Sequence, residues 1–308
     1  MPPHAIDTAK AKARHVVKGL PSSMTRPLRT LLNRRGMVED RSILGRSLRV
    51  EGYNHIEVDY DDAWLVLLLA ASTGFVDVGC NIGFFAMVSC VLRPDAQVLA
   101  IDANPECAAV TAANLVRNGF GDRTRVISSF VSDSRHDVKF NAVGLGAAGS
   151  GVDGLSTTAE DLGSSDLVQA NSLDDLVASV GFVPDLIKVD VEGAEREVLR
   201  GAVSVAALHR PKFMVEMHSG FDLTMEQNTA DVLAWCSAND YRAWYLATGE
   251  ELADASTVAH RGRCHLLLQP SDHLYPDALV GVPQGASIES LDSESLAGRF
   301  ISGRLERG

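Results

Sequence analysis

The stretch VDVGCNIGFF, residues 76–85, joins a short apolar run to a helical pattern through a turn that contains Gly79 and Gly83. An apolar run that ends in a glycine turn and continues as a helix is typical of the first strand–loop–helix unit of a parallel α/β sheet. In such sheets, ligands bind outside the carboxyl ends of the strands, and the first loop forms the floor of the pocket. The stretch therefore predicts a fold class and the position of a binding site.

The alternation of apolar runs and amphipathic segments continues on the C-terminal side of this stretch. Further strands are predicted at residues 98–102, 125–131, 186–191 and 212–217, with helices between them. Strands that read as continuous apolar runs between helices indicate a parallel sheet covered on both faces. Residues 241–246 and 264–269 predict a terminal antiparallel strand pair. The predicted fold is α/β, a doubly wound, mostly parallel seven-stranded sheet.

Composition divides the chain into three regions. Residues 1–50 form a basic N-terminal arm that is predicted to be helical, and residues 51–270 form the α/β domain. Inside the domain, a stretch rich in Gly and Ser predicts a surface insertion near residues 143–165. Residues 271–308 show only weak periodicity, so this C-terminal tail has no assigned structure.

Charge is distributed unevenly between the arm and the rest of the chain. The first 50 residues hold 11 Lys and Arg against 3 Asp and Glu, whereas the remainder holds 17 against 37. An acidic body disfavours a nucleic-acid substrate, which requires a basic face. The basic arm, with leucines between its arginines, is typical of a segment in peripheral contact with an anionic membrane surface; a solvated or partner-packed helix is the simpler alternative.

The same sequence bears on the compartment. The N-terminus lacks the continuous apolar run of a secretory signal, and the longest apolar run is about half of the roughly 20 residues that cross a bilayer. Five cysteines without a CxxC pair support neither a disulfide framework nor a zinc ribbon. A cytoplasmic location is expected.

The glycine turn indicates which ligand the pocket holds. A dinucleotide site requires G-x-G-x-x-G, whereas this turn reads G-x-x-x-G, with Cys80 and Asn81 in the positions of the tighter turn. Gly79 lets the backbone approach a ligand, and Gly83 opens a helix whose free amides suit the carboxylate of a methionine-like moiety. Asp77 lies at the end of the same strand. An NAD-dependent oxidoreductase is therefore the weaker alternative.

A second group of candidate cofactor residues follows the next two strands. Asp102 ends the second strand, where a carboxylate accepts hydrogen bonds from both hydroxyls of a ribose. Asn104 precedes a helix, either as its N-cap alone or also as a ligand contact, and Asp133 follows the third strand, either near an adenine or as a turn residue. The candidate cofactor-binding residues are Asp77, Gly79, Asn81, Gly83, Asp102, Asn104 and Asp133.

Ionisable residues are also predicted at one rim of the sheet. By the two-residue period of a strand, Lys188, Asp190 and Glu192 share one face, and Glu216 and His218 share a face of the next strand. Charges on apolar strands are costly to bury unless they are paired or serve a site. A structural ion-pair network is one alternative, and a catalytic cluster of Asp190, Glu192, Glu216 and His218 is the other.

Several of these motifs together resemble the FkbM-type methyltransferase family. They are VDVGCNIGFF, the strand end at Asp102, NLVRNG (114–119), SLDDL (172–176), DLIKVDVEGAEREVLRGA (185–202) and the strand that carries Glu216 and His218. The resemblance covers residues 77–218. Two positions depart from the family: Cys80 stands where alanine is common, and Asp102 where Glu is frequent. The N-terminal arm and the C-terminal tail lie outside the resemblance.

The resemblance implies a class I methyltransferase (Rossmann-like) fold and S-adenosylmethionine as the methyl donor. It also implies O-methylation, with a hydroxyl of a sugar, glycolipid or secondary metabolite as the small-molecule acceptor. A cofactor-binding subunit without catalytic activity is a further alternative, against which the clustered acids argue. The acceptor's identity and the oligomeric state are not determined by the sequence.

Methyl transfer to a hydroxyl requires removal of the hydroxyl proton. Asp190, Glu192 and His218 are candidates for the base, and the pKa of an unperturbed histidine lies nearest to neutrality. Alternatively, Asp190, Glu192 and Glu216 hold Mg²⁺, which lowers the pKa of a bound hydroxyl. The sequence leaves both alternatives open.

Overall fold

The computed structural model describes residues 38–53, 62–140, 166–219, 223–288 and 291. In chain order, its strands are β1 (Val38–Ile43), β2 (Arg46–Glu51), β3 (Gly74–Val78), β4 (Gln97–Asp102), β5 (Thr124–Ser128), β6 (Phe130–Ser132), β7 (His136–Phe140), β8 (Asp166–Ser172), β9 (Leu186–Val189), β10 (Lys212–His218), β11 (Tyr241–Tyr245), β12 (Glu250–Glu251) and β13 (Arg263–Pro270). Its α-helices are α1 (Asp62–Ala70), α2 (Phe84–Leu92), α3 (Pro105–Arg117), α4 (Leu173–Ser179), α5 (Glu195–Arg200), α6 (Val203–His209) and α7 (Met225–Ala238).

Eight strands form the main sheet, in the order β5-β4-β3-β9-β10-β13-β11-β12. The first five run parallel, whereas β13 runs antiparallel to both β10 and β11. The predicted doubly wound sheet is confirmed, and so is the antiparallel strand pair at its end. The two-residue strand β12 adds an eighth strand that the sequence does not predict. The chain order reverses between β3 and β9, which is where sheets of this kind bind ligands.

Residues alternate along the strands between two apolar clusters, one on each face of the sheet. Phe75 belongs to the cluster that includes α1, α2 and α3, and Val76 belongs to the cluster that includes α4 to α7. Because both faces are covered, the strands read as continuous apolar runs in the sequence. Among the helices of the described ranges, none combines the length and hydropathy needed to cross a bilayer.

Helix α1 is apolar on all sides, and each of its residues is buried. A helix of this kind requires cover on every side. Part of the cover comes from the C-terminal segment: Trp64 Nε1 donates a hydrogen bond to the Val282 carbonyl at 3.2 Å, and the Ala63 amide donates to the Ala286 carbonyl at 3.1 Å. The C-terminal tail, which has no predicted structure, therefore packs against α1 at Val282 and Ala286.

Strands β1 and β2 form an antiparallel hairpin. It turns at Leu44 and Gly45, which both have positive φ, as a two-residue hairpin turn requires. Leu48 and Val50 are buried, so the buried positions recur at every second residue, which is the period of a strand. The prediction of a helical arm over residues 1–50 is therefore wrong for residues 38–50. Residues 1–37 lie outside the described residues.

Two predicted elements each divide in two. The strand predicted at 125–131 becomes β5 and β6, and β6 leaves the main sheet to join β8 and β7 in a small three-stranded sheet. The helix predicted between the strands at 186–191 and 212–217 becomes α5 and α6, which separate at Gly201. A Cβ on Gly201 would lie 2.1 Å from the Ser132 carbonyl, so the chain passes close to β6 there. The predicted insertion near 143–165 lies outside the described residues.

Candidate active site

The loop between β3 and α2 is fixed by contacts within the protein. Gly79 has φ +79°, and a Cβ there would lie 1.8 Å from the Asp190 carbonyl oxygen. Gly83 has φ +77°, and a Cβ there would lie 2.7 Å from Thr111 Cγ2. Both glycines are thus required by close packing of the loop. Whether they also let a ligand approach stays a prediction.

Helix α3 holds the same loop from the other side. Thr111 Oγ1 donates a hydrogen bond to the Asn81 carbonyl at 2.8 Å, and Asn114 Nδ2 donates to the Ile82 carbonyl at 3.0 Å. Both side chains are fully buried. Sequence reasoning missed these two residues, although a buried Thr and Asn on one face of an otherwise apolar helix are the signal that could have found them.

Asp102 lies at the carboxyl end of β4, directly beside this loop. Its two carboxylate oxygens accept hydrogen bonds from the amides of Asn81 at 2.7 Å and Asn104 at 2.8 Å. Burial raises the pKa of Asp102 to about 6, although these hydrogen bonds act in the opposite direction. Asn104 caps α3 by accepting a hydrogen bond from the Glu106 amide at 2.9 Å, which confirms its predicted capping role.

Asp77 is buried beneath the loop, with 1% of its surface exposed. Among the described residues, neither carboxylate oxygen has a hydrogen-bond partner of normal geometry, and Lys188 Nζ lies 4.0 Å away. Burial raises the pKa of Asp77 to about 6, against the lowering effect of Lys188. A buried carboxylate with few hydrogen-bond donors is costly, so the nearby Lys188 ammonium is what balances the charge of Asp77.

Asp133 lies apart from these residues. It follows β6 in the small sheet, it is exposed, and its carboxylate accepts a hydrogen bond from Ser134 Oγ at 2.8 Å. In the main sheet the residue paired with Asp102 is Ser128, at the end of β5. The predicted adenine contact of Asp133 stays a prediction, and the turn contact is the one that the structure provides.

The acidic rim forms where β9 and β10 end. Strand β9 ends at Val189, so Asp190 and Glu192 lie in the following turn, and the two-residue period that predicted a shared face does not extend to them. Glu192 has φ +55°, an uncommon conformation for a residue with a side chain. The turn nevertheless brings Asp190 and Glu192 to His218, with side-chain atoms of all three within 4.8 Å of one another.

Lys188 binds the first of these acids. Its ammonium lies 2.9 Å from Asp190 Oδ2 and 5.7 Å from the centre of the Phe85 ring. Burial lowers the pKa of Lys188, but Asp190 and Asp77 outweigh this effect and raise it above its usual range. Lys188 is therefore a buried cation between the acidic rim and residues 79–83, the β3–α2 loop proposed below as the cofactor loop.

His218 has carboxylates at both ring nitrogens. Nδ1 lies 2.8 Å from Glu195 Oε1, while Nε2 lies 3.4 Å from Glu216 Oε1 and 3.6 Å from Glu192 Oε2. Burial lowers the pKa of His218, but hydrogen bonds to Glu195 and Glu216 outweigh it and raise the pKa to about 11. A histidine whose pKa is raised in this way holds its proton, which argues against His218 as the candidate base and leaves Asp190 and Glu192.

Glu195 was missed by sequence reasoning, although it is completely buried. It follows the predicted acids in a stretch of charged residues and reads as the solvated first turn of a helix. The available signal is spacing: Glu195, Val198, Leu199 and Ala202 recur at i, i+3, i+4 and i+7, which places the acid on the apolar face of α5.

Glu216 is enclosed by basic groups. Oε1 lies 3.1 Å from an Arg263 guanidinium nitrogen, and Oε2 lies 3.4 Å from His265 Nε2. Burial raises the pKa of Glu216, but hydrogen bonds from His218 and His265 outweigh it and hold the pKa well below its usual range. Glu216 therefore remains ionised inside its ion pairs.

Comparison with known proteins adds to this geometry. The family model for the methyltransferase FkbM domain matches residues 77–243, more than half of the chain. The chain belongs to this family. The FkbM match includes each of the predicted site residues, and also Glu195, but not Arg263 or His265.

Two curated relatives are similar over shorter stretches. The hexuronic acid methyltransferase AglP of Haloferax volcanii is 36% identical over 151 residues, which are 47% of this chain and 56% of that protein. The ribosomal protein L11 methyltransferase of Alkalilimnicola ehrlichii is 42% identical over 60 residues, 20% of each chain. The chain thus spans about half the length of the first relative and a fifth of the second.

Among solved structures, the FkbM methyltransferase of Methylobacillus flagellatus is similar to 70% of this chain. The match covers 49% of that protein, with 17% sequence identity and a TM-score of 0.44. A likeness of this size carries no argument about activity. The assignment of the chain to the FkbM family therefore rests on the sequence match, and the fold on the strand order described above.

Proposed function

We propose that this chain transfers the methyl group of S-adenosylmethionine to a hydroxyl oxygen of a small molecule, sugar or glycolipid. The observation that carries the proposal is the pair of carboxylates beside the glycine loop, the buried Asp77 and the half-buried Asp102. Within the described part of the chain, the carboxylate of Asp77 has no hydrogen bond of normal geometry and lies in β3, where the sheet order reverses, while Asp102 ends the neighbouring strand β4. Membership of the FkbM family supports the reaction type.

The residues around the loop fit the parts of S-adenosylmethionine. Asp77 is suited to its ammonium group, since the Lys188 ammonium stays 4.0 Å away, beyond hydrogen-bond distance, and a second cation would stabilise the ionised carboxylate further. Asp102 is suited to the two ribose hydroxyls, because a carboxylate oxygen accepts more than the one backbone hydrogen bond that each of its oxygens has here. The start of α2, which has no side-chain cap, suits the carboxylate. When bound, S-adenosylmethionine supplies an activated methyl group.

Glu192 is the proton acceptor in this proposal. Burial, together with neighbouring acids, raises its pKa above the usual value, and a carboxylate of raised pKa is a better base at neutral pH. Its side chain is 45% exposed, so an acceptor can reach it. Asp190 is already paired with Lys188, which suits it to orient the acceptor through a hydrogen bond. His218, as a cation, suits stabilisation of the ionised Glu192 and Glu216 rather than proton uptake.

A bound divalent cation is the second way in which the rim could acidify a hydroxyl. Of the set predicted for Mg²⁺, Asp190 and Glu192 offer free oxygens, whereas Glu216 faces Arg263 and His265. His218 already places a positive charge between Glu192 and Glu216, so we favour the metal-free base. Dialysis against EDTA tests this choice: we expect an undiminished rate, and a loss that Mg²⁺ restores would support the cation.

The acceptor is proposed from chemistry and from the first relative. AglP is named for a hexuronic acid, and its match is longer than that of the ribosomal protein methyltransferase, so a sugar-type acceptor is favoured. The acidic body of the chain opposes a nucleic acid. All five cysteines are buried thiols, which supports a reducing cytoplasm as the place of reaction.

Transfer of labelled methyl groups tests the proposal directly. Purified protein is incubated with methyl-labelled S-adenosylmethionine and either small-molecule or lipid extracts, and labelled products are identified by mass. We expect an extractable product that gains one methyl group and is absent with Glu192→Gln. Binding of adenosylhomocysteine without transfer to any extract would favour a non-catalytic subunit, and stabilisation by NADH instead would favour an oxidoreductase.

A further inference from the structure

Glu195 is a completely buried carboxylate that lies behind the acidic rim, against the ring of His218. Oε1 accepts hydrogen bonds from the Gly193 amide at 2.9 Å and from His218 Nδ1 at 2.8 Å, and Oε2 accepts one from Asn228 Nδ2 at 2.9 Å. An ionised carboxylate in the interior is tolerated only with such complete hydrogen bonding. The arrangement therefore depends on all three donors.

We propose that Glu195 is a positioning residue for methyl transfer, which fixes the ring of His218 so that Nε2 faces Glu192 at the rim. The inference rests on the proposed function, because it assigns the rim to the acceptor. Glu195 does not reach the rim itself, since none of its surface is exposed. It acts through His218.

Asn228 completes the support. Its Nδ2 donates both to Glu195 and, at 3.0 Å, to the carbonyl of His218. One side chain of α7 therefore holds the backbone of the histidine and the carboxylate behind its ring. Asn228 is itself completely buried, so this link is protected from water.

The geometry at the ring explains why its orientation matters. An imidazole that rotates by half a turn about Cβ–Cγ exchanges its nitrogens for carbons, which cannot bind a carboxylate. The contacts of Nε2, at 3.4 and 3.6 Å, are too long to hold the ring by themselves. The 2.8 Å bond from Nδ1 to Glu195 is the short one, and it selects the orientation in which Nε2 faces Glu192.

A kinetic double-mutant cycle separates positioning from simple structural support. Glu195→Gln keeps the shape but removes the charge, and His218→Asn removes the ring. We expect Glu195→Gln to lower kcat about 100-fold or more, as loss of a carboxylate behind a catalytic histidine does elsewhere. KM and the affinity for adenosylhomocysteine are expected to stay within about 3-fold, since the cofactor loop is untouched.

In the His218→Asn background, Glu195→Gln should then have almost no further effect on kcat, because both changes remove the same function. Losses that multiply would overturn the proposal. Asp185→Asn is the matched control: Asp185 accepts a hydrogen bond from the Thr73 amide at 2.8 Å at the opposite end of β9. Its loss should lower Tm without changing kcat.

A spectroscopic measurement keeps the inference testable even if the chain transfers no methyl group or Glu195→Gln does not fold. In protein labelled with ¹⁵N-histidine, Nδ1 of His218 should carry a low-field proton that exchanges slowly with water. Asn228→Ala, the second variant, should speed its exchange, and His218→Asn should abolish it. A wild-type protein without this proton would overturn the positioning role, whereas a proton without any turnover would contradict only the proposed function.

Discussion

The carboxylates at the cofactor loop and those at the acidic rim differ in their hydrogen-bond partners. At the loop, considering the described residues, the Asp77 carboxylate has no hydrogen bond of normal geometry and Asp102 accepts from two backbone amides, and burial raises the pKa of each to about 6. At the rim, Glu195 and Glu216 are enclosed by side-chain donors. The proposed function assigns the loop carboxylates to a positively charged and hydroxylated ligand, whereas Glu195 and Glu216 at the rim already have donors within the protein, so a change at one rim residue affects its neighbours.

Loss of the proposed base should give the largest effect. Glu192→Gln removes the proton acceptor, so we expect kcat to fall by about 10²- to 10⁴-fold. The affinity for adenosylhomocysteine should stay nearly constant, because the loop lies on the other side of Lys188. Initial rates and calorimetry measure the two quantities. Wild-type turnover in this variant would remove Glu192 from the mechanism.

Gly79 lies where the cofactor loop contacts the backbone of Asp190 at the acidic rim, and its substitution tests this contact. Gly79→Ala places a Cβ against the Asp190 carbonyl at a positive φ, so we expect a loss of about 3 kcal/mol in the free energy of unfolding. Gly119→Ala is the control, because Gly119 has a similar φ of +76° but no atom of the described residues lies within 4 Å of the added Cβ. Its loss should be about 1 kcal/mol. Equal losses in urea unfolding would contradict the close packing of loop and rim.

Substitution of Asp77 tests the proposed role of the cofactor loop. Asp77→Asn should weaken adenosylhomocysteine about 30-fold, as expected for one charge-assisted contact of about 2 kcal/mol. Tm should not fall, because the variant no longer buries a carboxylate without hydrogen bonds. Titration calorimetry and thermal unfolding measure both properties. A large drop in Tm with unchanged affinity would make Asp77 a structural residue.

The pH dependence of binding is the smallest effect. Because the pKa values of Asp77 and Asp102 are raised to about 6, both acids are ionised at pH 8 and mostly protonated at pH 5. Affinity for adenosylhomocysteine should therefore be constant above pH 7 and fall about 10-fold or more by pH 5. A flat profile between pH 8 and pH 5 would contradict the role of both acids.

Unfolding of the protein at low pH does not explain the expected loss of affinity for adenosylhomocysteine. For an acid whose pKa is raised by folding, the stabilising contribution is present below its unfolded pKa and is lost as the pH rises through 6. Asp77 and Asp102 thus favour the folded state more at pH 5 than at pH 8. Thermal unfolding of the ligand-free protein at the two pH values provides the control.

The sequence predicts the parts of this molecule that repeat a simple period. The strands of the main sheet and the Asn104 cap follow from apolar runs and cap chemistry, and they are confirmed. The hairpin at 38–51 is not predicted as a hairpin, because its arginines are interpreted as part of a helical basic arm that extends to residue 50, although Leu48 and Val50 follow the two-residue period of a strand.

The arrangement of the acidic rim does not follow from the period of a single strand. The shared face of Asp190 and Glu192 was inferred from a strand that in fact stops at Val189, so their proximity to His218 comes from a turn with positive φ. The protonation of His218 depends on Glu195, which lies on a different element. The charge of each group depends on partners that lie on other helices and strands. The periodicity of a single stretch of sequence does not reveal those partners.

Calorimetric titration with adenosylhomocysteine tests the central claim most directly, since every role proposed here depends on the loop binding an S-adenosyl ligand. We expect one binding site per chain with micromolar affinity, and no measurable heat with NADH under the same conditions. The absence of heat and of any affinity for adenosylhomocysteine at pH 8, with folded protein, would contradict the account.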